Sequence, residues 1–414
     1  MTSRSREAAF ERSQIIRALL LRPLLHRRGR HIRTLDLARR HQAELRRWFD
    51  HHLGWQLHVE RDHLRLFKIP EAPDRQGIEA PTARQSALYC LLLAVLEDCG
   101  QQTVISELAE KLTAVTATHT ALRRFDATAH RERFDLVAMV RLLCRHGILA
   151  PTGDAGTAHE HEKQYVAGSG DALYDVDHRT AALMLAAPVA PAQATGPDEL
   201  FDALGAEQGR TANELTRQAL MRRLVDEPVV HLYDLPGDQR DYFLAHTDEV
   251  LTAVRLGLDT RVEVRAEGAA VIDEELTDLE FPKASAPSFA ALVLADRLCG
   301  EVESRSPRRT FVSHPRLFEL TADVAADLLQ LITTINGHPI DAIRVKEAAL
   351  PVLVQLGLAE HVSGGIRVRP AIARYRAMPG LGTRKGAENL MLFGAHDLPS
   401  PSARSSEDGS DDTL

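Results

Sequence analysis

The stretch that most limits what this chain can become runs from Phe134 to Asp177. Leu136, Val137, Val140, Leu143 and Cys144 recur at the i, i+3, i+4, i+7 spacing of one apolar helical face, and Arg133, Arg141 and Arg145 lie off it. Gly147 then predicts a helix end of the C′ type. Beyond it Ile148 and Leu149 start a strand, Pro151 to Lys163 reads as a turn-rich loop, and Tyr165 to Val176 reads as a return strand. In front lie an apolar helix from Arg84 to Asp98, a turn at Gly100-Gln101-Gln102 and a short helix from Val104 to Leu112. Three helices closed by a hairpin make a helix-turn-helix with a wing.

The same grammar recurs along the chain. Ile15, Ile16, Leu19, Leu20 and Leu24 mark a first helix that Pro23 predicts to stop near Leu21. A second is expected from Thr34 to Leu53, with Leu35, Ala38, Leu45, Trp48 and Phe49 inside and Arg39, Arg40, Arg46 and Arg47 outside. WQLHVERDHLRLFKI alternates as a hairpin turning at Arg61-Asp62. Pro70 to Pro81 and the Ala/Pro-rich 187–200 read as linkers. Residues 208–285 carry a helix from Thr211 to Val225, a strand VVHLYDL, a helix from Gly237 to Leu256 and a hairpin RVEVRAEG/AAVIDEE. Helices at Phe289–Leu298, Val324–Ile335 and Ile343–Leu356, then a hairpin turning at Gly364-Gly365, complete another wing. The expectation is a mainly α fold with small β-hairpin wings, an α+β chain of tandem winged-helix domains. Its parts are a basic N-terminal domain 1–70, a central domain 82–186, a linker 187–200, a middle α/β unit 201–285, a C-terminal domain 286–378 and an acidic, flexible tail 379–414.

Charge is unevenly spread. Residues 1–68 hold sixteen Arg or Lys against seven Asp or Glu, so a chain of net −8 carries about +9 there and about −17 elsewhere. The first domain is the part that faces a polyanion or an acidic partner. With 44% apolar residues, packed cores are well supplied. No run of eighteen uncharged apolar residues predicts a membrane span, and the charged start MTSRSREAAFERS lacks a secretory apolar region, so a cytoplasmic protein is expected. Cys90, Cys99, Cys144 and Cys299 sit in apolar helical patterns and are expected as buried thiols.

Catalytic signatures are absent: no phosphate loop, nucleophile elbow, H-E-x-x-H or zinc-type spacing occurs. His159-Glu160-His161-Glu162 has metal-like composition but falls in the expected wing loop, with no second ligand cluster. Gly380, Gly382 and Gly386 lack the preceding strand and the GK[ST] of a phosphate site. No cofactor, metal or enzymatic activity is expected. The site expected from residues alone is a sequence-independent double-stranded DNA contact through Arg27, Arg28, Arg30, Arg39, Arg40, Arg46 and Arg47, with Arg367 and Arg369 of the last wing. The same cations could dock an acidic partner surface.

RERFDLVAMVRLLCRHGIL, GDALYDVD, RLVDEPVVHLYDL and VEVRAEGAAVIDEELTDLEFP together resemble one bacterial family, across roughly residues 12 to 376. It is the MukE-like, or kite, B subunit encoded beside a large MukB-like SMC ATPase in Wadjet-type plasmid-defence operons. The resemblance implies a homodimeric subunit that binds a MukF-like kleisin, in a condensin-like complex with the ATPase that extrudes and senses small circular DNA. A separate Toprim-type nuclease would cut that DNA, and the complex would lie with nucleoid or plasmid. Read without the resemblance, repeated winged helices also suit a transcriptional regulator. That alternative requires several base-reading side chains on each third helix, and 133–146 and 343–356 offer Arg133, Arg141, Arg145, Arg344, Lys346 and Gln355.

Overall fold

The structure is a computed structural model that describes residues 3–27, 31–69, 71, 80–184, 193, 195–196, 210–277, 279–302 and 310–376. The fold is mainly helical with small antiparallel sheets. One order, helix–strand–helix–helix–strand–strand, occurs four times among the described residues.

The first module is α1 (Ser3–Leu21), β1 (Leu24–His26), α2 (Ile32–Arg40), α3 (Gln42–Leu53), β2 (Gln56–Val59) and β3 (His63–Phe67). The second is α4 (Ala83–Glu97), β4 (Gln102–Val104), α5 (Ile105–Thr118), α6 (His130–Arg145), β5 (Leu149–Pro151), an inserted α7 (Ala155–Ala167), β6 (Leu173–Val176) and a short α8 (His178–Ala182). The third is α9 (Ala212–Asp226), β7 (Val230–His231), α10 (Gly237–Ala245), α11 (Thr247–Leu258), β8 (Arg261–Arg265) and β9 (Gly268–Ile272). The fourth is α12 (Ala286–Glu301), β10 (Phe311–Ser313), α13 (His314–Leu328), a two-stranded β11 (Thr334–Ile335) and β12 (His338–Pro339), α14 (Ala342–Gln355), β13 (Ala359–Val362) and β14 (Gly365–Val368). In every module the last strand lies between the other two, in the orders β1-β3-β2, β4-β6-β5, β7-β9-β8 and β10-β14-β13.

Local chemistry sets many of these ends. Pro23 stops α1 at Leu21. Thr82 and Gln85 close a capping box on α4, as Thr211 and Glu214 do on α9. Gly147, at φ +75°, ends the turn after α6.

Four expectations are corrected. The helix expected from Thr34 to Leu53 is broken at His41, whose ring meets Glu11 of α1 at 2.7 Å, so a tertiary contact overrides the continuous apolar stripe. Most of the stretch expected as a turn-rich loop, Pro151–Lys163, is helical and belongs to α7. Asp154 caps it by accepting from the Thr157 amide, and left-handed Gly168 ends it, which leaves only Leu173–Val176 of the expected return strand. The helix expected over Gly237–Leu256 is two, meeting at His246. The one expected at Val324–Ile335 is α13, ending at Leu328 and starting at His314 after the Ser313 cap with Pro315 in its first turn.

The chain divides into two compact units, 1–278 and 279–414. Within the first, two segments expected as separate domains, 1–70 and the part of 201–285 described up to residue 277, share one core: Ile15, Leu19, Phe49, Trp55 and Leu64 belong to the same buried cluster as Leu220, Leu224, Phe243, Val254 and Val262. Arg17 pairs with Asp273 at 2.6 Å and Lys68 with Asp226 at 2.5 Å. The second module has a core of its own, built on Leu92, Leu108, Leu136, Val140 and Tyr174. Of the cysteines, Cys99 is buried, Cys144 and Cys299 are half-buried, and Cys90 is exposed, against expectation; all four are free thiols. Among the described residues, no helix is long and apolar enough to cross a membrane.

Candidate nucleic-acid interface

The expected basic residues separate once their partners are known. Arg27 is committed: its Nε lies 3.1 Å from Asp62 and its Nη2 3.8 Å from Asp36. Arg46 donates through Nε to the Leu57 carbonyl at 3.2 Å, which fastens α3 to the hairpin. Arg367 and Arg369 converge on Glu360, at 2.9 and 2.5 Å, so one carboxylate offsets two guanidinia on the last hairpin. Arg28 and Arg30 lie outside the described residues. Arg39, Arg40 and Arg47 are exposed, and no carboxylate among the described residues comes within 4 Å of them.

An open groove of about 590 Å³ gathers two of these three. Asp36, Arg39 and Arg40 from α2 and Gln42 at the start of α3 line it with Glu60 and Arg61 from the β2–β3 turn. Arg61 was read from the sequence only as a turn residue. Its signal was the hairpin itself, which carries the turn toward the end of α2. Both acids of the groove are engaged: Asp36 faces Arg27, while Glu60 accepts from His58 at 2.7 Å and pairs with Arg179. Hydrogen bonds from Arg179 first, then His58, hold the Glu60 carboxyl below its usual range, so it is ionised and already matched.

The other modules treat their polar side chains differently. In the second, α7 packs on α6, and buried Glu162 joins them by accepting from Arg141 at 2.7 Å and from the Tyr174 hydroxyl at 2.6 Å. Arg133 donates to the carbonyls of Val166, at 3.0 Å, and Thr128, at 2.6 Å. His159-Glu160-His161-Glu162 thus sits on a helix, and no group of three metal-ligating side chains forms among the described residues. In the fourth module Arg344 pairs with Glu347 of its own helix at 2.6 Å.

A family model described as protein of unknown function (DUF2398) matches residues 16–378. The chain belongs to the DUF2398 family. No curated protein and no solved structure matches it. The matched span takes in all four modules of this DUF2398 protein, from within α1 to just past β14.

Further polar groups escaped the sequence reading because their partners are remote. The Tyr89 hydroxyl meets His146 Nδ1 at 2.6 Å where the first and second modules touch. Arg65 of β3, buried there, donates to the Leu183 carbonyl at 2.9 Å, and buried Thr180 meets His63 Nε2 at 2.5 Å.

Proposed function

We propose that this DUF2398 protein is a non-catalytic, kleisin-binding subunit of the MukE-like kind in a bacterial condensin-like SMC complex that extrudes DNA and defends against plasmids, the Wadjet system. The repeated order with the last strand central supports reading each module as a winged helix. Tandem winged helices with no catalytic constellation suit a subunit that binds other chains and DNA.

The observation that carries the reading is α7. A regulator that reads an operator presents the polar face of a third helix to base edges, with several donors free to pair. In the second module that helix is α6, and α7 lies against it while Arg133 and Arg141 are spent on Val166 and Glu162, which leaves Arg145 as the exposed one of the three arginines named there. A module that covers much of its own reading helix suits holding protein better than reading bases. The first module, by contrast, leaves Arg39, Arg40 and Arg47 open, which suits sequence-independent contact with phosphates. The partners are then a MukF-like kleisin and a MukB-like ATPase, with a Toprim-type nuclease acting indirectly. The subunit is a homodimer in the cytoplasm, at nucleoid or plasmid.

Affinity purification of the tagged full chain from cells expressing its neighbouring genes, followed by native mass spectrometry, tests this. The expected result is a complex with two copies of this chain, a kleisin and an SMC ATPase. A chain that purifies alone and protects one defined operator sequence would overturn the reading in favour of a winged-helix transcriptional regulator.

A further inference from the structure

We infer that the groove between α2 and the β2–β3 turn seats one phosphodiester backbone of duplex DNA, held by Arg39, Arg40 and Arg61. This rests on the DNA contact proposed above and deepens it by fixing which cations act, including Arg61 on the hairpin, and which do not.

Three observations carry it. The groove is walled by cations on two different elements, Arg39 and Arg40 at the end of α2 and Arg61 at the hairpin turn, so an anion lying in it meets positive charge from both. Its two acids do not cancel them: Asp36 faces Arg27, and Glu60 is bound by His58 and Arg179. Nearby Glu11, whose carboxyl the His41 hydrogen bond first and the Arg40 charge second hold below the usual range, is itself paired with His41 at 2.7 Å. Finally, the same two helices carry further exposed cations outside the groove lining, Arg33 on α2 and Arg47 on α3. A single small anion would leave those unused, whereas successive phosphates of a duplex supply many anionic partners for spread cations. Arg27, Arg46, Arg367 and Arg369 have intramolecular partners to give up and contribute little.

The test uses the full chain, a fluorescently labelled duplex of arbitrary sequence, and anisotropy titrations across a salt series. Arg39→Gln/Arg40→Gln/Arg61→Gln is compared with Arg46→Gln and with Arg61→Lys, and circular dichroism confirms that each variant folds. Each neutralised phosphate contact contributes about 0.9 to the slope of log affinity against log salt, so the triple variant loses about 2 to 3 of that slope and at least tenfold in affinity. Arg61→Lys retains the wild-type slope, because a phosphate needs only a charge there, and Arg46→Gln changes little. If the wild type binds duplex and the triple variant keeps both affinity and slope, the groove assignment fails while DNA contact stands elsewhere. If the wild type binds no duplex, the DNA contact itself falls. Loss of kleisin or ATPase association in the triple variant would then make the groove a protein interface.

Discussion

Trp48 lies against Gly257 across the core that joins the first and third modules: a Cβ at Gly257 would stand 2.4 Å from Cζ2 of the indole. Helix α11 needs its glycine there, although Ala is better in a helix interior by about 1 kcal/mol. Overpacking a filled core costs about 1–3 kcal/mol. Gly257→Ala is therefore expected to destabilise the chain, with Gly257→Val worse, in urea titrations. Combining Gly257→Ala with Trp48→Leu should recover part of the loss, and strict additivity of the two substitutions would contradict the contact.

Gly268 and Gly365 occupy equivalent places, at the start of the last strand in the third and fourth modules, where the backbone of the module's first strand passes closest. A Cβ would stand 2.0 Å from the Val230 carbonyl oxygen in one and 2.1 Å from that of Val312 in the other. The obstacle is backbone within a sheet, so it cannot swing aside as a side chain would. Gly268→Ala and Gly365→Ala are each expected to lower stability by about 3 kcal/mol. Gly337→Ala, with open space around the site but φ +79°, should cost only its backbone strain, about 1 kcal/mol. Parallel chemical melts of the three variants check the ranking.

Stability should fall on mild acidification. Burial holds the His146 imidazole down to about 4, and the nearby charges of Arg145, Arg65 and His26 push the same way. Burial also raises the Tyr89 phenol, which stays protonated and hydrogen-bonded to His146 Nδ1. An unfolded histidine titrates near about 6.5. Because the folded value is the lower one, the group's contribution is complete above about 6.5 and is lost as the pH falls toward about 4. His52, also held to about 4 by burial, acts in the same sense. His146→Gln, which cannot take the proton, should lose less stability than wild type between pH 7 and 4.5. Equal losses in denaturant titrations would refute this.

Glu162 is buried with Arg141 and the Tyr174 hydroxyl as its partners. Removing the carboxylate strands both donors, at about 2–4 kcal/mol, less than for a fully buried pair because the Arg141 side chain is 40% exposed. Glu162→Ala should therefore release α7 from α6 and raise proteolytic cleavage between Gly153 and Gly170, whereas Tyr174→Phe should cost less than half as much. Limited proteolysis with mass spectrometry reads the difference.

The helices with apolar stripes were legible: Leu136, Val140 and Leu143 of α6 lie where their spacing puts them, and Val345, Leu350 and Leu353 are buried within the span expected as the helix that is α14. Helix α7 was not, because its buried residues are Ala158 and Glu162, and a glutamate is buried only when an arginine and a tyrosine elsewhere receive it. The break at His41 was hidden for a related reason. Leu35, Ala38, Leu45 and Phe49 keep helical phase across it, and its cause is a glutamate thirty positions earlier. Helix α13 was recoverable, since Ser313 and Pro315 are a cap signal written in the chain. For the basic site, residue type singled out the arginines of α2 and α3. Commitment of Arg27, Arg46, Arg367 and Arg369 to neighbours depends on which strands pair, which composition does not encode.

The core shared by the first and third modules bears on the order in which a ribosome can deliver this protein. Arg17 and its partner Asp273 are 256 residues apart, and α1 and α3 rest on helices made after the whole second module. Residues 83–182 carry their own core and can close while synthesis continues, but the amino-terminal segment leaves the exit tunnel first and finds its packing surface last. For most of translation Ile15, Leu19 and Phe49 are without their full burial. Nascent chains arrested before residue 210 should therefore be protected from protease in the second module and cut in the first, and protection of the first should arrive only once Ile272 has emerged.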